Sequence, residues 1–206
     1  MRIASLLPVI LIAPTLLGAG PAADKAADGR FKETLRASFK EKGQAGLDRL
    51  DQDEVQALCS RRPADGPLKA DVAKRLVAAQ LATVAYPADG ALMGDWKKGE
   101  AIAQSGVGKQ FSDDPTKPSG GNCYACHQLS KAEVSFGTLG PSLYQYGKIR
   151  GQAEAMQRYT YGKIFNSQAF SACSMMPRFG LHGILTEEQI KDLVALLLDP
   201  ASPVNQ

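Results

Sequence analysis

Histidine and cysteine are scarce in this chain: two His and four Cys among 206 residues, with a single Trp. So few ligands leave no second Cys/His pair at the spacing a structural zinc site needs. Charge of one sign is lacking too. The 24 basic side chains nearly balance the 21 acidic ones, and a formal +3 with no basic stripe excludes a nucleic-acid footprint. No apolar run reaches the roughly 20 residues of a membrane-spanning helix, and no internal repeat, heptad seam or low-complexity tract is found. With 44% of residues apolar and 22% charged, the chain is neither disordered, collagen-like nor polytopic, which leaves one or two soluble domains. At this length roughly 70% of the unfolded surface is buried on folding. The core needs no disulfide staples, so the four cysteines require another explanation.

Residues 3–17 are almost wholly apolar, follow Arg2, are broken by Pro8 and Pro14, and give way to Gly18, Ala19, Gly20, Ala22 and Ala23. That order of charge, apolar stretch and small residues predicts a secretory signal peptide over residues 1–23, cleaved after Ala19, Ala22 or Ala23. The mature protein is then expected in the periplasm, an oxidising compartment where cysteine pairs persist as disulfides.

Apolar periodicity predicts an all-α chain, because no alternating strand pattern is present. Phe31, Leu35 and Phe39 mark a first helix. Leu47, Leu50, Val55 and Leu58 fit one face of a second, which must stop before Pro63. A third is expected to start at Pro67 and carry Val72, Leu76, Ala79 and Val84 before Pro87 ends it. Residues 24–90 thus read as a helical extension, and residues 91–206 as the domain that carries the chemistry. There Asp95 is the expected N-cap of a helix with Trp96, Gly99, Ile102 and Ala103 on one face. Residues 105–122, with four Gly and two Pro, read as a loop. Further helices are expected over about residues 152–165 and 187–198. The last opens on a Thr186/Gln189 capping box and buries Ile190, Leu193, Val194 and Leu197.

The chemistry lies in Cys123-Tyr124-Ala125-Cys126-His127. C-x-x-C-H is the spacing of c-type haem attachment: two thiols add across two vinyl groups, and the next residue, His127, is placed to bind the iron. A thioredoxin-like pair would want a βαβ context instead of the Gly-rich loop found here. A plain disulfide would leave His127 unexplained. An iron-bound His donates its other ring N–H to an acceptor, and Pro141, whose φ is fixed, is the candidate carbonyl.

The segment Cys173-Ser174-Met175-Met176-Pro177-Arg178-Phe179-Gly180 precedes the last helix. A thioether there would complete the coordination, favour ferrous iron and leave no open position, as an electron carrier needs. Met176 is preferred over Met175 because Pro177 holds its backbone extended. Core packing by both Met residues and ligation by His182 are the alternatives. Cys59 and Cys173 remain, and in an oxidising compartment an even remainder suggests a disulfide. A buried thiol, or Cys173 as a reactive or iron-facing sulfur, are the other readings of that pair.

The C-x-x-C-H motif, the Leu139-Gly140-Pro141-Ser142-Leu143 run and a Met-Pro pair before a final helix resemble the class I cytochrome c domain. More narrowly, residues 121–129, 173–180 and 198–205 are similar to the SoxX family, monohaem subunits of the bacterial thiosulfate-oxidising Sox system. The resemblance covers roughly residues 90–206. It implies one covalent haem c on Cys123 and Cys126, with His127 as the proximal and Met176 as the distal ligand. It also implies a SoxA-like cytochrome as heterodimer partner, a SoxYZ-like carrier protein and a soluble cytochrome acceptor. The complex would be an L-cysteine S-thiosulfotransferase that joins thiosulfate oxidatively to a carrier cysteine. This chain would be its non-catalytic electron-transfer subunit. Residues 24–90 depart from the compact members of that family. A free-standing periplasmic electron shuttle and a haem-based ligand-binding domain are the alternative functions.

Overall fold

The computed structural model describes residues 21–60 and 66–206, with side chains described from residue 28. The expected signal segment up to residue 20 and the Pro63 helix stop lie outside the described residues. The chain divides after Lys40 into two compact units.

The first unit contributes α1 (Pro21–Ser38). Its expected apolar face is not a buried one: Phe31 is 65% exposed, and Phe39, one residue past the helix, is 53% exposed. Among the described residues of this unit, α1 has no second element against which to bury a stripe.

The second unit holds α2 (Glu54–Cys59), α3 (Ala70–Leu81), α4 (Trp96–Gln104), α5 (Tyr146–Arg150), α6 (Glu154–Phe165) and α7 (Glu187–Leu198). Among the described residues there is no strand, only one isolated bridge between Lys42 and Ala45. The single helix expected across Leu47 and Leu58 is two pieces. A 3-10 turn spans Leu47–Leu50, the chain extends at Asp51, and Asp53 restarts it with a reciprocal capping box to Gln56. Similarly, α3 begins at Ala70, three residues after Pro67, and ends before Val84. α5 has no counterpart in the periodicity. Its five residues are too few to show one, and it is bounded by Gln145 and Gly151, both at positive φ.

α7 organises the unit. Thr186 Oγ1 accepts from the Gln189 amide at 3.2 Å and Gln189 Oε1 accepts from the Thr186 amide at 3.1 Å, so the expected capping box is in place. The buried surface goes beyond the expected stripe: Ala195, Leu196 and Leu198 are each 0% exposed, as are Ile190 and Val194. The reason is that α4, α5, α6 and the C-terminal turn all pack against this one helix. Each fully buried Leu, Ile or Val contributes roughly 1.5–3 kcal/mol. Close approach to α4 depends on Gly99, where a Cβ would collide with the Asp192 carbonyl.

A 3-10 turn at Pro203–Asn205 closes the far end of α7. Asn205, fully buried, donates from Nδ2 to the Leu197 and Asp199 carbonyls at 3.1 and 2.8 Å. Its Oδ1 accepts from the Gly147 and Lys148 amides of α5 at 2.8 and 3.2 Å. One amide side chain therefore satisfies the orphan groups of two helix ends. A second, smaller core, Val55, Leu76 and Ala172, joins α2 and α3 to the segment that follows α6.

Candidate haem site

The cysteine motif sits on a loop anchored to α4. Gly121 donates to the Ile102 carbonyl at 2.8 Å and Asn122 to that of Ser105 at 2.9 Å. Asn122 takes a left-handed conformation (φ 45°), which turns the chain into the 3-10 turn Cys123–Ala125. Tyr124 points inward, 6% exposed, with its hydroxyl 3.3 Å from Ser130 Oγ. The Cys126 and His127 amides both donate to the Cys123 carbonyl, at 3.1 and 2.9 Å. This folds two thiols and one imidazole onto a single tight turn.

His127 Nδ1 lies 2.7 Å from the Pro141 carbonyl oxygen. A carbonyl only accepts, so Nδ1 carries the proton and the lone pair falls on Nε2. The 137–141 strip is stapled to the motif by Gly137 N to Tyr124 O and Gly140 N to Cys126 O, both 2.8 Å. Gly140 is required by packing: the His127 ring lies where its Cβ would stand. The same strip continues into Leu143, whose amide donates to the Gln128 carbonyl at 2.8 Å, and Leu143 packs against the main core.

The Met-Pro segment runs between α6 and α7. Met176 is half-buried and packs against the main core, whereas Met175 is 97% exposed. Two serines hold the Met176 backbone. Ser167 Oγ donates to its carbonyl at 2.5 Å, and its amide donates to Ser174 Oγ at 3.4 Å. His182 is an exposed side chain next to Arg178 and Asp53; its pKa is lowered first by desolvation and then by the Arg178 charge.

Cys59 and Cys173 are joined in a disulfide, with Cα atoms 5.4 Å apart, inside the usual range. Cys123 and Cys126 are not bonded to each other. Burial pushes the Cys123 thiol up to about 12. A thiol held protonated is a poor redox nucleophile. Among the described residues no three His, Cys, Asp or Glu side chains gather as a metal cage. Two unpaired thiols, an oriented imidazole with Nε2 available, and a backbone-held thioether are the donor set a c-type haem uses. The residues fit that group.

Sequence reasoning did not single out Asp53, Ser167 or Ser174 as parts of this region. Arg178 lies in the Met-Pro segment; its side chain is 5% exposed and reaches Asp53 Oδ2 at 2.6 Å. The only signal for that pair is that an Arg beside a Met-Pro pair needs a carboxylate somewhere if it is buried.

The sequence model of the cytochrome c family matches residues 97–199, half of the chain. An uncharacterized lipoprotein of Aquifex aeolicus (strain VF5) is 40% identical over 185 residues, covering 88% of this chain and 85% of the relative. Coverage that wide cannot be confined to the family segment and takes in α2 and α3 as well. No helix among the described residues is long and apolar enough to cross a membrane.

Proposed function

The chain belongs to the cytochrome c family, carries a covalently attached haem c and transfers electrons, and on that premise we propose that it is the electron-accepting subunit of a periplasmic SoxAX-like complex. The supporting observation is that residues 173–180 and 198–205, whose sequences are similar to SoxX, hold positions that matter in this fold. The first carries Met176 and the disulfide partner Cys173; the second carries Asn205, the plug between α5 and α7.

The bound haem supplies a one-electron iron couple. The chain's own work is to hold it and set its ligands. Cys123 and Cys126 attach it. His127, oriented by Pro141, would offer Nε2 to the iron, and Met176 would supply a thioether sulfur as its second ligand. Oxidative joining of thiosulfate to a carrier thiol forms one S–S bond and releases one proton and two electrons. This chain takes those electrons one at a time and passes them to a soluble cytochrome, while the SoxA-like partner makes the bond on the SoxYZ-like carrier. Export to the periplasm agrees with the signal-like sequence of residues 1–23 and with a disulfide in the fold.

Native purification tests the assignment. A second haem subunit should co-purify, and thiosulfate should reduce the iron of the pair only when the carrier is present. A monomer reduced equally well without partner or carrier would sink the complex in favour of a free-standing shuttle. For the axial pair, Met176→Ala should abolish the weak sulfur-to-iron band at the red edge of the visible spectrum.

A further inference from the structure

The short helix α2 is fastened at both ends to the segment that carries Met176. Its N-cap, Asp53, receives Arg178 at 2.6 Å, and its last residue, Cys59, is bonded to Cys173. These anchors bracket Met176, one three residues before it and the other two residues after it. Neither is a loose surface contact. The Arg178 side chain is 5% exposed while that of Asp53 is 41% exposed, so removing the carboxylate strands a buried guanidinium. The helix itself is seated: Val55 is 2% exposed and shares a small core with Leu76 of α3 and Ala172. A cleft of about 550 Å³ lies between the anchors, with Gln56 of α2 on one side and Met175, Met176 and Pro177 on the other. It leaves the Met176 segment little direct packing on α2. The end anchors therefore add to the hold that the main core and the two serines give Met176.

We propose that α2 is a brace that positions Met176, suppressing local opening of its segment and so keeping the thioether in place. The inference rests on Met176 being the distal ligand. The connection from the end of α6 to α7 contains no α-helix, only the 3-10 turn Ser167–Ala169. A segment of that kind opens at low free energy unless it is tied elsewhere. The serine bonds fix the local backbone of Met176. The two anchors tie that backbone to a helix with its own core. Opening then requires breaking the Asp53–Arg178 pair or unseating Val55 from Leu76, and the disulfide limits how far the segment travels even when the ion pair parts. On this reading the helical extension, or at least its residues 53–59, belongs functionally to the haem domain.

The test uses ferric holoprotein and imidazole as the probe. Imidazole takes the distal position only when the methionine has left, so at saturating imidazole the rate of loss of the sulfur-to-iron band reports segment opening. Asp53→Asn and the paired Cys59→Ser/Cys173→Ser variant should each raise that limiting rate at least about fivefold. Combining them should raise it further. Asn205→Ala, which weakens the fold at the other end of α7, should leave the rate within a factor of about two of the wild type. If the wild type has the band, Met176→Ala loses it, and the brace variants open no faster than Asn205→Ala, the brace is wrong and the ligand stands. If the band is absent from the wild type or survives Met176→Ala, the ligand assignment fails and the brace falls with it.

Discussion

Asn205→Ala is expected to be the most damaging single substitution near the C-terminus, although it lies only one residue from the end of the sequence. Its side chain makes four hydrogen bonds, of which those from Gly147 N and to Leu197 O are fully buried and the other two partly so. Alanine leaves a buried amide and a buried carbonyl without partners. At roughly 1–3 kcal/mol for each orphaned group, and less for the two that water can reach, the loss comes to about 4 kcal/mol. Asn205→Asp separates the two halves of the role. A carboxylate still accepts from the α5 amides, but it has nothing to donate to Leu197 O and Asp199 O and turns a negative oxygen towards both, so it should cost at least as much as alanine. Urea unfolding of the holoprotein, followed by far-ultraviolet circular dichroism with equal slopes for all variants, measures both. A cost below about 1 kcal/mol for alanine, or a stability for Asp equal to the wild type, would refute the claim that this amide joins the two helix ends.

Gly140→Ala puts a methyl where the His127 ring lies. It should shift part of the ferric protein to a high-spin spectrum; an unchanged low-spin spectrum would show that the ring is not confined there. Breaking the Cys59–Cys173 bond by paired serine substitution opens a constraint between residues 114 apart in sequence and should lower global stability by roughly 4–5 kcal/mol in the chain-entropy account. Chemical denaturation reads that loss, and a change under 1 kcal/mol would mean the unfolded chain is hardly restricted by the bridge. The Asp53 carboxyl is raised by burial but more than offset by the Gln56 amide and by Arg178, with a smaller contribution from His182, so its folded pKa lies below the ordinary 3.8. A depressed carboxylate stabilises the fold fully above its unfolded pKa, and that contribution is lost as pH falls through the folded one. Acid titration of stability should therefore show a component below about pH 3.9 that is missing in Asp53→Asn; identical acid profiles would count against the pair.

Local signals carried far along this chain. The Thr186/Gln189 box and the apolar spacing of α7 are properties of neighbours three and four residues apart, and they reappear in the fold with the same atoms. His127 and Pro141 were also legible, because a fixed motif supplies the imidazole and a proline close by supplies a carbonyl of restricted direction. What the periodicity mis-stated is equally physical. Leu47, Leu50, Val55 and Leu58 are spaced as one helix, yet Asp53 outcompetes its continuation by capping the Gln56 amide at 2.8 Å. α5 is set by the amides of Gly147 and Lys148 meeting Asn205, a contact between remote residues that no window of the sequence contains. The Asp53–Arg178 pair is of the same kind: each partner looks ordinary alone, as an N-cap and as a surface cation.

This distinction bears on what the haem domain is. Residues 97–199 match the cytochrome c family, and a boundary drawn there would assign the cysteine motif, the Pro141 strip and Met176 to the domain while leaving α2 and α3 outside it. The packing contradicts such a cut. Leu76 of α3, 1% exposed, shares a small core with Val55 of α2 and with Ala172 in the segment that follows α6. Asn166, at the end of α6, donates from Nδ2 to Gln80 Oε1 and Thr83 Oγ1, both at 2.9 Å. Arg178 and Cys173 both find their partners before residue 60. Removing the extension would therefore expose part of a core, orphan a buried guanidinium and leave Cys173 an unpaired thiol three residues from the methionine. A chain shortened to begin at residue 91 should attach haem, since the motif and His127 depend on α4 and the 137–141 strip. It should hold Met176 poorly, and a truncated protein with an intact sulfur-to-iron band and wild-type imidazole kinetics would show that the segment is rigid without it.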